Sequence, residues 1–234
     1  LNHAVDLYSE YKKPFFSTIF TLSSHHPYTI PEEYQNRFPK GTLPIHESIG
    51  YTDQALREFF AKASKTDWYD NTLFVITADH TSLSEHAQFQ TKLGSLRIPI
   101  ILFQPTDSLL LGVKSQVIQQ IDIMPTVLDL LGYHKPYFSF GVNAFDSTAS
   151  HTAIAFKHDQ HQLYRDETLV CFDGENTNFV FDVTADALLQ GNLAKDENFN
   201  FSENEMYLKG FIKGYSRALN QNRMTVESWS KQKE

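Results

Sequence analysis

The chain has 234 residues, a net charge of −8, 41% hydrophobic residues, 19 Phe, 11 Tyr and one cysteine. That length and aromatic content suit a folded chain with a buried core and exclude a disordered one. The acidic balance argues against non-specific nucleic-acid binding, and a single Cys171 excludes both an intrachain disulfide framework and a cysteine-based zinc site.

No run approaches the ~20 apolar residues of a membrane span, and Leu1–Asp6 carries neither a basic start nor an apolar targeting stretch. The first predicted strand covers residues 15–22, and Ser23-Ser24-His25-His26-Pro27-Tyr28 follows as a polar loop. Residues 29–44, with three prolines and Gly41, read as a long surface connection. A helix is expected from Ile45 to Lys65, with Ile49, Thr52, Leu56, Phe59, Phe60 and Ala63 as its apolar stripe.

The next strand runs from Leu73 to Thr77 straight into Asp79-His80. An uninterrupted apolar run of this kind fits a central parallel strand covered on both faces, and ligands of open α/β sheets sit beyond such strand ends. A carboxylate and an imidazole side by side suit a divalent cation. They equally suit a helix cap with a packed histidine. Residues 81–95 read as a long loop that includes His86, Arg97–Gln104 as a strand, and Val117–Leu131 as a helix stopped by Gly132.

This alternation predicts an α/β fold with a mostly parallel sheet flanked by helices over residues 1–150. From 151 to 202 the pattern changes to short strands and turn residues, which predicts a small antiparallel subdomain. A final helix and a polar tail complete residues 203–234. His158-Asp159-Gln160-His161 falls at a hairpin and reads as solvated turn residues. Gly214-Tyr215-Ser216-Arg217-Ala218 mimics a nucleophile elbow but lies within the last amphipathic helix.

Taken in order, Ser-Ser-His-His-Pro-Tyr at 23–28, residues 51–60, 71–80, 97–105 and 120–132, and the late 179–194 stretch resemble the sulfatase branch of the alkaline phosphatase superfamily. Within it they are most similar to the lipoteichoic acid synthase and phosphoglycerol transferase group. The resemblance implies an alkaline phosphatase-like fold and one divalent cation, Mn²⁺ first, with Zn²⁺, Mg²⁺ or Ca²⁺ as alternatives. Asp79 and His80 match a pair of metal ligands. His25 matches a substrate-phosphate histidine, His26 is a neighbour able to take that role, and His86 is a further substrate contact. The family's nucleophilic Thr and its first acidic ligand lie upstream of the histidine block, where this chain has only 24 residues. The chain is therefore expected to be part of a longer enzyme and inactive alone. The implied substrate is a phosphodiester such as a lipid-linked phosphoglycerol, outside the cytoplasm of a bacterial cell, with membrane attachment through a region beyond this chain. Sulfate ester hydrolysis is the enzymatic alternative, and a glycan- or partner-binding module the non-catalytic one. The isolated chain is expected to pair with itself as a homo-oligomer.

Overall fold

The computed structural model describes residues 1–230, so the end of the polar tail, residues 231–234, lies outside the described residues. The chain divides into two compact units, residues 1–84 with 98–112 and residues 85–97 with 113–234.

In the first unit α1 (Asn2–Ser9) and α2 (His46–Ala63) supply the core. Val5, Phe59 and Ala63 are buried there, with Phe60, Trp68, Tyr69 and Phe74 packed against them. The carboxyl-terminal half of the predicted α2 stripe turns inward as expected, whereas Ile49 is exposed and Ser48 is buried in its place. Two strands, β1 (Phe74–Thr77) and β2 (Ile100–Phe103), pair antiparallel, with Phe74 opposite Phe103 and Thr77 opposite Ile100.

This pairing corrects the expectation of a mostly parallel sheet. A parallel connection needs a crossover of a dozen or more residues, usually a helix. The stretch between β1 and β2 holds only α3 (Ala87–Gln90) and one 3₁₀ turn. Every strand pair among the described residues is antiparallel. The strand expected at 15–22 is also absent, because strand formation requires a pairing partner and these residues have none in the unit.

The second unit carries the larger sheet, β3 (Ala153–Lys157), β4 (Gln160–Arg165), β5 (Thr168–Phe172) and β6 (Thr177–Asp182), paired in chain order. The antiparallel meander expected after residue 151 is thus present. Two-residue turns at His158-Asp159 and Asp166-Glu167 have φ between +48° and +60°, the left-handed pairs that match strand twist in tight hairpins. One sheet face packs Leu163, Val170, Phe172 and Val180 against Leu208 of α5 (Ser202–Asn220). The other buries Leu169, Cys171 and Phe181, with Leu93, Tyr164 and Phe179 around them. Every residue of β5 is buried. An antiparallel strand can therefore be covered on both faces as fully as a parallel one.

α4 (Ile123–Leu130) is entered through buried Asp122, whose carboxylate accepts from the backbone N–H groups of Gln119 and Val142, each at 2.9 Å. Thr126 Oγ1 accepts from Ala144 N at 2.9 Å and donates to Asp122 O. These bonds tie the stretch through Gly141 onto the helix. A Cβ at Gly141 would lie 2.1 Å from Ile121 O, so no side chain fits there. Gly132, at φ +66°, closes α4 as its sequence position predicts. A five-residue helix, α6 (Val226–Ser230), ends the described chain.

Candidate functional site

His25 and His26 sit in a tight turn of the first unit. His25 N donates to Leu22 O at 3.0 Å and Tyr28 N donates to His25 O at 2.7 Å. The His26–Pro27 peptide bond is cis, and Tyr28 adopts φ +62°. His25 Nδ1 lies 2.8 Å from His26 O. A carbonyl only accepts, so Nδ1 carries the proton and Nε2 is the nitrogen available to a ligand. Both imidazoles are exposed. Ser24 Oγ meets Thr52 Oγ1 at 3.3 Å, which fastens the turn to α2, and Thr52 Oγ1 also donates to Ser48 O at 2.9 Å. Helical spacing alone places Thr52 in an apolar stripe, yet its hydroxyl is an anchor for the turn. A hydroxyl standing in an otherwise apolar stripe is the signal that it has a polar partner to meet.

Asp79 and His80 leave β1 two residues after its last paired position. Thr77 Oγ1 donates to Pro99 O at 3.0 Å and holds that end of the strand pair closed. Asp79 Oδ1 accepts from His80 N at 2.8 Å, and His80 Nδ1 donates to Thr81 O at 2.7 Å. His80 Nε2 then stands 3.5 Å from Asp79 Oδ2, with both side chains exposed. The contact is an ion pair only when the imidazole is protonated.

The divalent cation expected from the sequence is not supported. No group of three or more His, Cys, Asp or Glu side chains among the described residues is arranged to hold a metal ion. Asp79 and His80 are adjacent donors whose oxygen and Nδ1 are already engaged with each other and with the backbone. Two donors from one dipeptide do not make a tetrahedral or octahedral cage.

The remaining candidates separate cleanly. His86 precedes α3 in the second unit and meets Phe89 edge-on, with ring centroids 6.4 Å apart. His158 occupies the β3–β4 hairpin turn, and His161 on β4 packs against Phe156 with the rings tilted by 53° and their centroids 4.8 Å apart. Residues 214–218 lie inside α5. They have no strand before them, so the elbow-like spacing carries no nucleophile.

Residues 1–133, more than half the chain, match the family described as Sulfatase. The chain belongs to the sulfatase family. Among curated proteins this sulfatase-family chain is similar to lipoteichoic acid synthase of Staphylococcus aureus, 29% identical over 163 residues. That match covers 63% of this chain and 25% of the synthase, so the chain spans about a quarter of the relative's length. A solved protein of the alkaline phosphatase superfamily from Vibrio parahaemolyticus superposes with a TM-score of 0.77 at 22% identity, over 96% of this chain and 53% of that one. Ps i-CgsB, solved with k-i-k-neocarrahexaose, gives 0.67 at 17% identity over 92% of this chain and 52% of its own. A putative sulfatase, yidJ, from Bacteroides fragilis gives 0.58 at 20% identity, over 93% and 56%. At these identities the structures show a shared fold and nothing more.

Proposed function

We propose that this chain is part of an enzyme that cleaves or transfers an anionic ester, with a sulfate ester as the first substrate class. The observation that carries the reading is the sulfatase match over residues 1–133. His25 Nε2 would hydrogen-bond a non-bridging ester oxygen, with His26 beside it. The Asp79–His80 pair would hold or move a proton at His80 Nε2, the position from which an imidazole protonates a leaving oxygen.

The attacking group is proposed to come from outside residues 1–234. Ser24 is committed to Thr52, and Thr81 and Ser82 follow His80 in irregular backbone rather than at a helix start. A phosphodiester such as a phosphoglycerol lipid is the second reading, supported by the similarity to lipoteichoic acid synthase. Attachment to the outer face of a bacterial cell membrane goes with that reading and would lie beyond this chain. No helix among the described residues is long and apolar enough to cross a membrane.

The test is calorimetric titration of the 234-residue protein with p-nitrophenyl sulfate and, separately, bis-p-nitrophenyl phosphate, with p-nitrophenolate release followed in parallel. The expected result is binding of the sulfate ester without turnover, weakened about tenfold by His25→Ala, the loss of one charge-assisted hydrogen bond. Binding of the phosphodiester alone would move the assignment to the second reading. Binding of neither ester, or turnover that survives both His25→Ala and His80→Ala, would overturn the placement of the site.

A further inference from the structure

We infer that one surface of the second unit, formed by the carboxyl-terminal half of α5, by α6 and by residues 131–140, docks peripherally on an anionic phospholipid bilayer. Aromatic contacts bring these three pieces of chain together. Phe140 packs on Phe211 and Tyr215 of α5, with ring centroids 5.7 and 5.3 Å apart. Phe138 meets Trp229 of α6 at 6.1 Å. The Trp229 indole N–H donates to Arg223 O at 2.7 Å, and the Arg223 guanidinium lies 4.6 Å over the indole ring. These two contacts fasten a helix too short to hold its shape alone.

The outward side chains are of two kinds. Leu219 is 53% exposed, Trp229 51% and Tyr133 42%, and Tyr137 and Met224 are exposed with them. The second kind is cationic. Residues 130–145 and 206–226 contain Lys135, Lys209, Lys213, Arg217 and Arg223 and no Asp or Glu, in a chain whose net charge is −8. Lys209, Lys213 and Arg217 recur every four residues, so they line one face of α5 away from buried Leu208 and Ala218. Lys135 stands exposed in the irregular stretch beside Tyr133 and Tyr137. Of the flanking carboxylates, Asp129 accepts from Asn143, and Glu205 accepts from Thr177 and pairs with Lys209. Glu227 is the one acid of α6.

Charge complementarity selects the occupant. A cationic surface on an otherwise acidic chain faces an anionic partner, and an apolar patch rimmed by charge marks an interaction site. Tyr and Trp carry an apolar body and a polar tip, which places them at the headgroup level of a bilayer. Lys and Arg stems lie along apolar surface while their charged heads reach the lipid phosphates. The combination of tryptophan, leucine and methionine with a line of cations is that of an interfacial helix, bound by apolar burial and by attraction to anionic lipid together. An acidic polymer would meet the cations and leave the exposed Leu219 and Trp229 without a role. Docking of this kind requires neither reading of the ester substrate.

The test is cosedimentation of the 234-residue protein with vesicles of phosphatidylcholine, with or without about 30% phosphatidylglycerol, at low and high salt. Tryptophan emission is followed in parallel. The expected result is binding to the anionic vesicles alone, weakened by salt, with a blue shift of the emission. The chain has two tryptophans, and Trp68 packs on the core of the first unit, so the shift belongs to Trp229. Trp229→Phe is expected to abolish it. Lys213→Gln combined with Arg217→Gln, both at exposed positions, is expected to weaken binding about thirtyfold with far-UV circular dichroism unchanged. Lys135→Gln, outside the helices, is the second variant should that pair fail to fold, with an expected loss of about fivefold. No binding to anionic vesicles, equal binding to neutral ones, or binding indifferent to these substitutions would overturn the proposal. Vesicle binding that leaves the emission unmoved would overturn it too. So would equally tight binding of soluble polyglutamate, which would assign the surface to an acidic chain.

Discussion

The two sheets of this protein are built from similar residues and covered very differently. β5 is buried along its whole length, between α5 on one side and Leu93, Tyr164 and Phe179 on the other. β1, Phe-Val-Ile-Thr, is as apolar in sequence, yet its first three residues are only half-buried and Thr77 is exposed. Four strands in meander order give each inner strand two neighbours, whereas a two-stranded sheet gives each strand one and is marginal unless something packs on it. Asp79 and His80 of the candidate site hang from the thinly covered pair. The well-covered sheet carries no candidate catalytic residue, and its histidines lie in a hairpin turn and against Phe156.

Truncation should break this contrast most visibly. Leu163→Ala, at a fully buried position of β4, is expected to cost about 2–5 kcal/mol of unfolding free energy in denaturant titration, the range for emptying a closed core. Ile101→Ala, at an exposed position of β2, should stay within about 1 kcal/mol. Equal losses at the two sites would erase the distinction.

The next effect is at Asp122. Asp122→Ala leaves the N–H groups of Gln119 and Val142 without their acceptor, a loss of about 1–3 kcal/mol. Burial raises this carboxyl above its ordinary 3.8, against the opposing pull of the Val142 and Gln119 N–H groups and of His151. The folded state therefore binds the proton more tightly than the unfolded one, so this group's contribution to stability falls as pH rises from about 3.8 through the raised folded value, and is level above it. Glu205 behaves oppositely. The hydrogen bond from Thr177, at 2.6 Å, and the Lys209 ammonium lower its carboxyl below 4.5. Its contribution is complete above about 4.5 and is lost as pH falls through the lowered value. Stability curves of Asp122→Asn and Glu205→Gln should depart from wild type with opposite slopes in acid, and slopes of the same sign would contradict the assignment.

How much of this was legible in the sequence depends on what each signal reports. The spacing of Phe59, Phe60 and Ala63 located α2, Gly132 located the end of α4, and short alternating runs with turn residues located β3 to β6. Strand direction was not legible, because the apolar run at 73–77 marks a strand without saying which way its neighbour runs. Nor did the β-prone composition of residues 15–22 announce that no strand lies beside them. For the site, the residue types of His25, His26, Asp79 and His80 were visible in the family-like blocks. The sequence did not reveal that Asp79 and His80 are engaged with each other and the backbone rather than with a third ligand. It hid Thr52 for the same reason, since a stripe at helical spacing does not say which member meets a polar neighbour.

Two smaller effects sharpen the comparison. Burial pushes the Cys171 thiol up to about 11, so the thiolate is scarce and the sulfur is enclosed by the doubly covered sheet. Its labelling by a disulfide reagent at neutral pH should proceed only as fast as the protein unfolds, and rapid labelling of the native protein would show the sheet to be open. Thr52→Val should cost about 0.5–1.5 kcal/mol, the worth of one hydrogen bond, while loosening the His25 turn. The imidazole signals of His25 and His26 should broaden or move in nuclear magnetic resonance spectra, and those of His158 and His161 should not.

Residue-resolved hydrogen exchange of the full 234-residue protein tests the contrast most directly. The account predicts that the hydrogen-bonded amides of β4 and β5 exchange only through global unfolding, and that those of residues 78–84, after β1, exchange by local opening orders of magnitude faster. Equal protection of the two regions would mean that the loop holding Asp79 and His80 is as closed as the meander, and would contradict it.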